Sequence, residues 1–293
     1  MSDLSDVWTD DVDPEDRRRE HGASDAPAED TLVAEARDTA VTGAERLNRT
    51  WRALIVTGLF GGIDVGLGIM AMVLVMDATG SQVLGGLAFG VGLIALKMAH
   101  SELFTEEFLM PINAIVAGQG TILQLARLWS VTLVANLVGG WLFTWLLVAA
   151  FPGYHDIFIA SADSYLVDRP WIEAIALAVL AGSTITLITR MQQGTDSDVA
   201  SMAMALISGM LVVGMGMLHG ALNSIIMFAA LHAGWERSYL DWLAWFAWVI
   251  PANMLGGLLV ITLPRLVRVG ELLLAIRRGE LALQPDDSDA LPR

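Results

Sequence analysis

Two short strings, NLVGG at 136–140 and NMLGG at 253–257, stand 117 residues apart, and the same offset relates the chain around them. It lays the apolar stretch 53–76 on 170–193, the interrupted stretch 82–117 on 199–234, and 128–150 on 245–267. The chain thus carries two copies, 53–150 and 170–267, of one three-element unit. About 20 apolar residues cross a bilayer core, and 53–76, 82–100, 128–150, 171–189, 200–217 and 242–263 are of that scale. The stretches 107–117 and 221–231 are shorter, and each follows a longer one after an interruption, SELFTE at 101–106 and HG at 219–220. They read as halves of helices broken within the membrane, where irregular backbone survives only against protein or a cavity. An odd number of crossings per copy inserts the second copy upside down. Paired broken helices of such inverted repeats meet near the midplane, where a solute site forms. The expected fold is all-α and integral to the membrane: a six-span bundle of two inverted three-element repeats, with broken second and fifth helices.

Composition agrees. The 293 residues are 55% hydrophobic with a mean hydropathy of +0.57, above the apolar share of soluble domains. The net charge of -15 argues against nucleic acid, and the absence of cysteine excludes a disulfide scaffold, thiolate metal ligands and thiol catalysis. Fourteen acids against six arginines fall in residues 1–50. Residues 1–30 are expected to be a disordered acidic tail without the pattern of a signal peptide, 31–52 an amphipathic cytoplasmic helix, 53–268 the transmembrane domain and 269–293 a cytoplasmic tail. With six crossings, Arg127 and Arg190 join the arginines of both termini, leaving Arg169 and Arg237 on the other side. The positive-inside rule then places both termini in the cytoplasm.

The offset of 117 pairs Glu102 in the first break with His219 in the second. Downstream half-helices starting near Thr105 and Gly220 would aim their N–H groups and positive dipole ends at the centre, a geometry that attracts anions. SELFTEEFLMP at 101–111, the paired glycines of NLVGG and NMLGG, and the H-x-x-x-N of His219 and Asn223 together resemble the formate/nitrite transporter family over about 51–268. The resemblance implies a homopentamer of aquaporin-like protomers in the cell membrane, each with its own pore, and cytoplasmic termini. It makes Thr105 the threonine of the first broken loop and His219 the central histidine, with Phe89, Leu93, Leu103, Phe104 and Val212 as the apolar constrictions. Departures are His100 and Glu106, where the family has glycine and a small residue, Leu218 where an acid is common, and Ala181–Gly182 in place of a Cys–Asn pair.

Each of these residues also has a plainer role open to it. His219 is a satisfied structural histidine or a pore residue. Thr105 is an N-cap, with Glu106 and Glu107 in the first helical turn, and lines the pore as well. Glu102 is expected to accept backbone N–H groups of its loop. Asp64 and Lys97 are charges in apolar spans, costing at least ~2.5–3.5 kcal/mol each at the bilayer centre unless paired or wet; they are expected to compensate each other, with Lys97 alternatively serving nearby glutamates. Arg169 stands at the outer mouth, solvated or concentrating anions. No phosphate-binding loop, no metal spacing among His100, His155 and His232, and no nucleophile–base pair occurs, so neither a cofactor, a metal nor an enzyme activity is expected. The implied function is passage of small monovalent anions or their conjugate weak acids. The half-helix dipoles attract the anion, and a proton or hydrogen bond from His219 relieves its charge, with Thr105 and Asn223 orienting it. Passage of a neutral or cationic solute, and a non-transporting scaffold or sensor held in lipid, are the alternatives.

Overall fold

In the computed structural model, which describes residues 28–195 and 197–283, every regular element is helical. The expected disordered tail lies, but for its last three residues, outside the described residues. Helix α1 (Ala28–Leu47) stops before the first span rather than running to residue 52. The Arg127 guanidinium donates to the Leu47 and Arg49 carbonyls at 2.7 and 2.9 Å, satisfying acceptors freed at the helix end. Thr50 accepts from the Ala53 N–H and opens α2 (Trp51–Thr79), which Gly80 closes at φ 66°. Then come α3 (Gln82–Met98), a break, the short α4 (Met110–Val116), and α5 (Ile122–Ala150), started by a Thr121–Gln124 capping box. The second repeat comprises α7 (Trp171–Gln193), α8 (Asp198–Gly214), a break, α9 (Gly220–His232) and α10 (Tyr239–Leu255). Between the repeats lies α6 (His155–Tyr165), unmarked by the repeat pattern, which buries Phe158 and Ala162.

Among the described residues four helices are long and apolar enough to cross a membrane alone: α2, α5, α7 and the continuous stretch Tyr239–Arg278. The pairs α3/α4 and α8/α9 complete six passages. Outward-facing residues of the spans, such as Ile55, Phe60, Leu142, Leu146, Leu180 and Leu259, are apolar and exposed, the reverse of a soluble bundle.

The first and third elements of each repeat pack backbone to backbone. A Cβ on Gly62 would strike the Asn136 carbonyl, and one on Gly182 the Asn253 carbonyl, so the same glycine-enabled crossing is built twice. Between the repeats, α3 and α8 cross reciprocally: a Cβ on Gly86 would meet the Gly209 carbonyl at 2.9 Å, and one on Gly209 the Gly86 carbonyl at 2.6 Å.

Two expectations for the ends of elements are corrected. The stretch 107–117 forms only the seven-residue α4, because Pro111 has no N–H to donate and favours the first turn of a helix. Beyond α10 the chain passes through a π-helical turn (Gly256–Thr262) into α11 (Leu263–Arg278), so helix continues to Arg278 where a tail from residue 269 was expected. The apolar face Val269, Leu273 and Ile276 of α11 packs on Ala36 and Ala40 of α1, which spares both faces from water. Both described ends of the chain therefore lie on one side of the bundle, called here the terminal side. Arg127 and Arg190 are there too, the latter paired with Glu35 of α1 at 2.9 Å.

Candidate functional site

The two breaks are held open by one device used twice. Asn136 of α5, fully buried, accepts the Phe104 N–H at 2.9 Å and donates to the Gly58 and Glu102 carbonyls, both at 2.8 Å. Asn253 of α10 accepts the Gly220 N–H at 2.7 Å and donates to the Ala178 carbonyl at 2.7 Å and the Leu218 carbonyl at 2.8 Å. Backbone groups that a broken helix leaves unpaired are thus satisfied by a side chain from the third element. These bonds fix the register between repeats: Glu102 matches Leu218, Leu103 matches His219 and Phe104 matches Gly220. The pairing of Glu102 with His219 at a constant offset of 117 is corrected by one residue. The change does not arise in the break: Ser81 and Ser197, the N-caps of α3 and α8, already stand 116 apart, and Gly58 and Ala178 of the first elements 120 apart, so each element keeps its own offset.

His219 stands at the N-terminus of α9, where Nδ1 accepts the Leu222 N–H at 3.2 Å. That bond requires a bare Nδ1, so the neutral ring carries its proton on Nε2 and donates it to Thr105 Oγ1 at 3.1 Å. Both residues are fully buried. Thr105 caps no helix, since α4 starts only at Met110. It sits in a single 3-10 turn, Phe104–Glu106, and accepts from His219, which leaves its own hydroxyl hydrogen without a partner among the described residues. Asn223 is buried, and its Nδ2 donates to the Met217 carbonyl at 3.2 Å, which steadies the second break.

Phe89, Leu93, Leu103 and Val212 fall in one apolar core cluster together with Leu218 and Leu222, which flank the histidine along the chain. Phe104 does not join them. Its ring packs edge-on against Phe108 at 5.1 Å and Trp129 at 6.4 Å, in a separate group with Ile250. On the terminal side a vestibule of about 130 Å³, lined by Arg46, Arg49, Lys97, His100, Glu102, Glu106 and Gln192 among others, leads toward this cluster. A narrow cavity of about 10 Å³, room for about one water, shares Glu106, Thr189 and Gln192 with it and reaches Leu93. On the opposite side a vestibule of about 430 Å³, lined by Asp168, Arg169, Arg237, Asp241, Trp245 and Trp248 among others, ends at Leu218. His219 and Thr105 lie between the two, sealed by apolar side chains.

The charges of the first break are paired from α1 and the residues just after it. Glu102 is met by Arg49 at 2.5 Å, with Arg46 at 3.9 Å and the Thr57 hydroxyl donating at 3.3 Å; it does not gather loop N–H groups. Glu107, fully buried, is bonded by Arg46 at 2.7 Å. Burial opposes the charge of Arg46, but Glu107 and Glu102 beside it hold the guanidinium above its usual value. Asp64 and Lys97 form no ion pair. Asp64 lies midway along α2, while Lys97 in the last turn of α3 extends into the terminal-side vestibule. Arg169 donates to the Ser164 carbonyl at 2.9 Å and approaches Glu173 at 3.8 Å while lining the opposite vestibule. Among the described residues no three His, Asp or Glu side chains are grouped to hold a metal. Sequence reasoning missed the role of Asn136 and Asn253, although both stand in the strings that reveal the repeat. The roles of Arg46 and Arg49 had no such signal.

Comparison with known proteins agrees with this architecture. The chain is 25% identical over 225 residues to the formate channel BtFdhC of Bacillus thuringiensis, covering 73% of this chain and 86% of that one. Among solved structures it resembles an FNT family ion channel (TM-score 0.69, 20% identity, 81% of this chain and 98% of the other). It also resembles a pentameric formate channel with formate bound (TM-score 0.55, 18% identity, 80% and 98%). These likenesses carry the expected aquaporin-like fold. The family model for formate/nitrite transporters matches residues 33–267, and the chain belongs to that family.

Proposed function

We propose that this chain conducts small monovalent anions such as formate or nitrite across the cell membrane, passing them at the centre as their uncharged conjugate acids. It does so as a homopentamer, as the pentameric formate channel among its neighbours suggests, held in lipid with both termini in the cytoplasm, which Arg127 and Arg190 on the terminal side support. The observation that carries the reading is the His219–Thr105 pair, fully buried between apolar groups with a charged vestibule on either side. A bare anion in such a segment faces a Born cost of tens of kcal/mol, whereas a neutral acid faces only the loss of a few hydrogen bonds. The pair is built to give a hydrogen bond and not a proton. His219 Nδ1 is occupied by the Leu222 N–H, so the ring holds one proton, and losing it through Thr105 would leave an imidazolate. The proton therefore comes from vestibule water. The free Thr105 hydroxyl hydrogen then points a donor at the acid's carbonyl oxygen, and His219 fixes the hydroxyl's orientation. Phe89, Leu93, Leu103 and Val212 keep water and ions out of this segment.

The test is a solute panel on purified protein in liposomes. Formate, nitrite, acetate and hydrosulfide are expected to enter, and glycerol to stay out. His219→Phe is expected to lower formate flux at least about tenfold between about pH 5 and pH 8. Wild-type flux in that variant, or glycerol passage without formate passage, would overturn the reading.

A further inference from the structure

The first break holds three carboxylates, and only two are neutralised. Glu102 is met by Arg49 and Arg46, and Glu107 by Arg46. The Glu106 carboxylate has no hydrogen bond or ion pair among the described residues, although it lies between them in the chain. It is also placed differently: its side chain lines both the terminal-side vestibule and the narrow cavity that reaches Leu93. A solute leaving the vestibule for the apolar segment must therefore pass the Glu106 carboxylate.

We propose that Glu106 is a specificity-determining residue that admits the conjugate acid from the terminal side and turns back the bare anion. This rests on the reading under Proposed function. The chemistry is that of a hydrogen-bond filter. An ionised carboxylate accepts strongly from an acid's O–H, but a formate or nitrite anion has no donor to offer and meets only like charge. The surrounding groups leave this choice to Glu106. From α7 it faces Thr189 and Gln192, and from α8 Ser208, all neutral. From α3 and its end it shares the vestibule with Lys97 and His100, which gather anions outside the neck. The guanidinium groups of Arg46 and Arg49 are taken by Glu102 and Glu107. The opposite vestibule ends at Leu218; its two carboxylates, Asp168 and Asp241, are exposed and share it with Arg169 and Arg237, and Asp241 is taken up by the Ser238 N–H and hydroxyl. The two mouths therefore select different forms of one solute.

The experiment uses the full-length protein in membrane vesicles of both orientations, with initial formate flux measured from each side. From the terminal side, wild-type flux is expected to fall steeply as that side is made alkaline. Glu106→Gln is expected to raise it about tenfold near pH 8, Glu106→Asp to behave as wild type, and flux from the opposite side to be unchanged by either. Nitrate, which has no weak conjugate acid, supplies a measurement without a variant: it is expected to inhibit formate entry from the opposite side and not from the terminal side. A Glu106→Gln profile that tracks wild type in folded protein, or nitrate inhibition equal from both sides, would overturn the proposal while leaving formate conduction standing. Absence of formate flux in the wild type at every pH would remove the underlying reading and this one with it.

Discussion

The two breaks begin from one plan and end as different devices. Each interrupts a glycine-crossed helix, and in each an asparagine from the third element makes the same three bonds. The second break is short, running from Met215 to His219, and its downstream helix α9 of 13 residues is buried over its first 11. Its loop backbone is held from its own repeat, by Asn253, Asn223 and His219 Nδ1, while His219 Nε2 reaches across to Thr105 of the first break. The first break is longer, from Ala99 to Leu109, carries three glutamates, and leads into a helix of only seven residues. It is steadied from outside the repeat. Arg46 and Arg49 neutralise Glu102 and Glu107, and Thr39 of α1 accepts from Asn113 of α4 at 3.1 Å. The difference teaches that the staple is the part common to both copies, whereas the residues it presents have taken separate roles. One break presents a histidine to the centre, and the other docks α1 and leaves Glu106 at the neck.

The comparison can be broken at the staples first, where the largest effect is expected. Asn136→Ala and Asn253→Ala each strand up to three buried backbone groups, at about 1–3 kcal/mol per group. Both are expected to lower the thermal unfolding midpoint strongly in detergent and by similar amounts. A large loss from one and none from the other would mean the two breaks are not held alike. A somewhat smaller and one-sided effect is expected at the α1 clamp. Arg46→Met leaves Glu107 buried and unpaired, a loss of about 3–5 kcal/mol, and adding Glu107→Gln in the same chain is expected to restore most of it. Failure of the double variant to recover stability would show that α1 docks by its apolar face alone, through Ala36 and Ala40.

The repeat made most of the architecture legible: six passages, two broken, with the second half inverted. His219 and Thr105 were identified by the resemblance, and the structure brings them to 3.1 Å. What the sequence did not carry is the register of each element. Extending the offset of the third elements through the second put Glu102 opposite His219, when the asparagine bonds put Leu103 there and α3 and α8 already start 116 apart. The short α4 follows from Pro111, a signal that was present in FLMP and outweighed by apolar length. Phe104 was placed at the constriction by family position, but its ring finds Phe108 and Trp129, partners set by tertiary packing that no local pattern encodes. The ion pairs of Arg46 and Arg49 span 61 and 53 positions along the chain, a distance at which sequence offers only charge balance.

The central claim is that the solute is uncharged as it passes His219 and Thr105. The most direct measurement is formate flux through the wild-type protein in liposomes under an imposed potassium diffusion potential, at fixed and equal pH on both sides. A potential of about 100 mV is worth ~2.3 kcal/mol for each elementary charge carried across. The account predicts a flux that does not respond to the sign or size of that potential. A flux that rises and falls many-fold as the potential is reversed would mean that the anion itself crosses, and would contradict it.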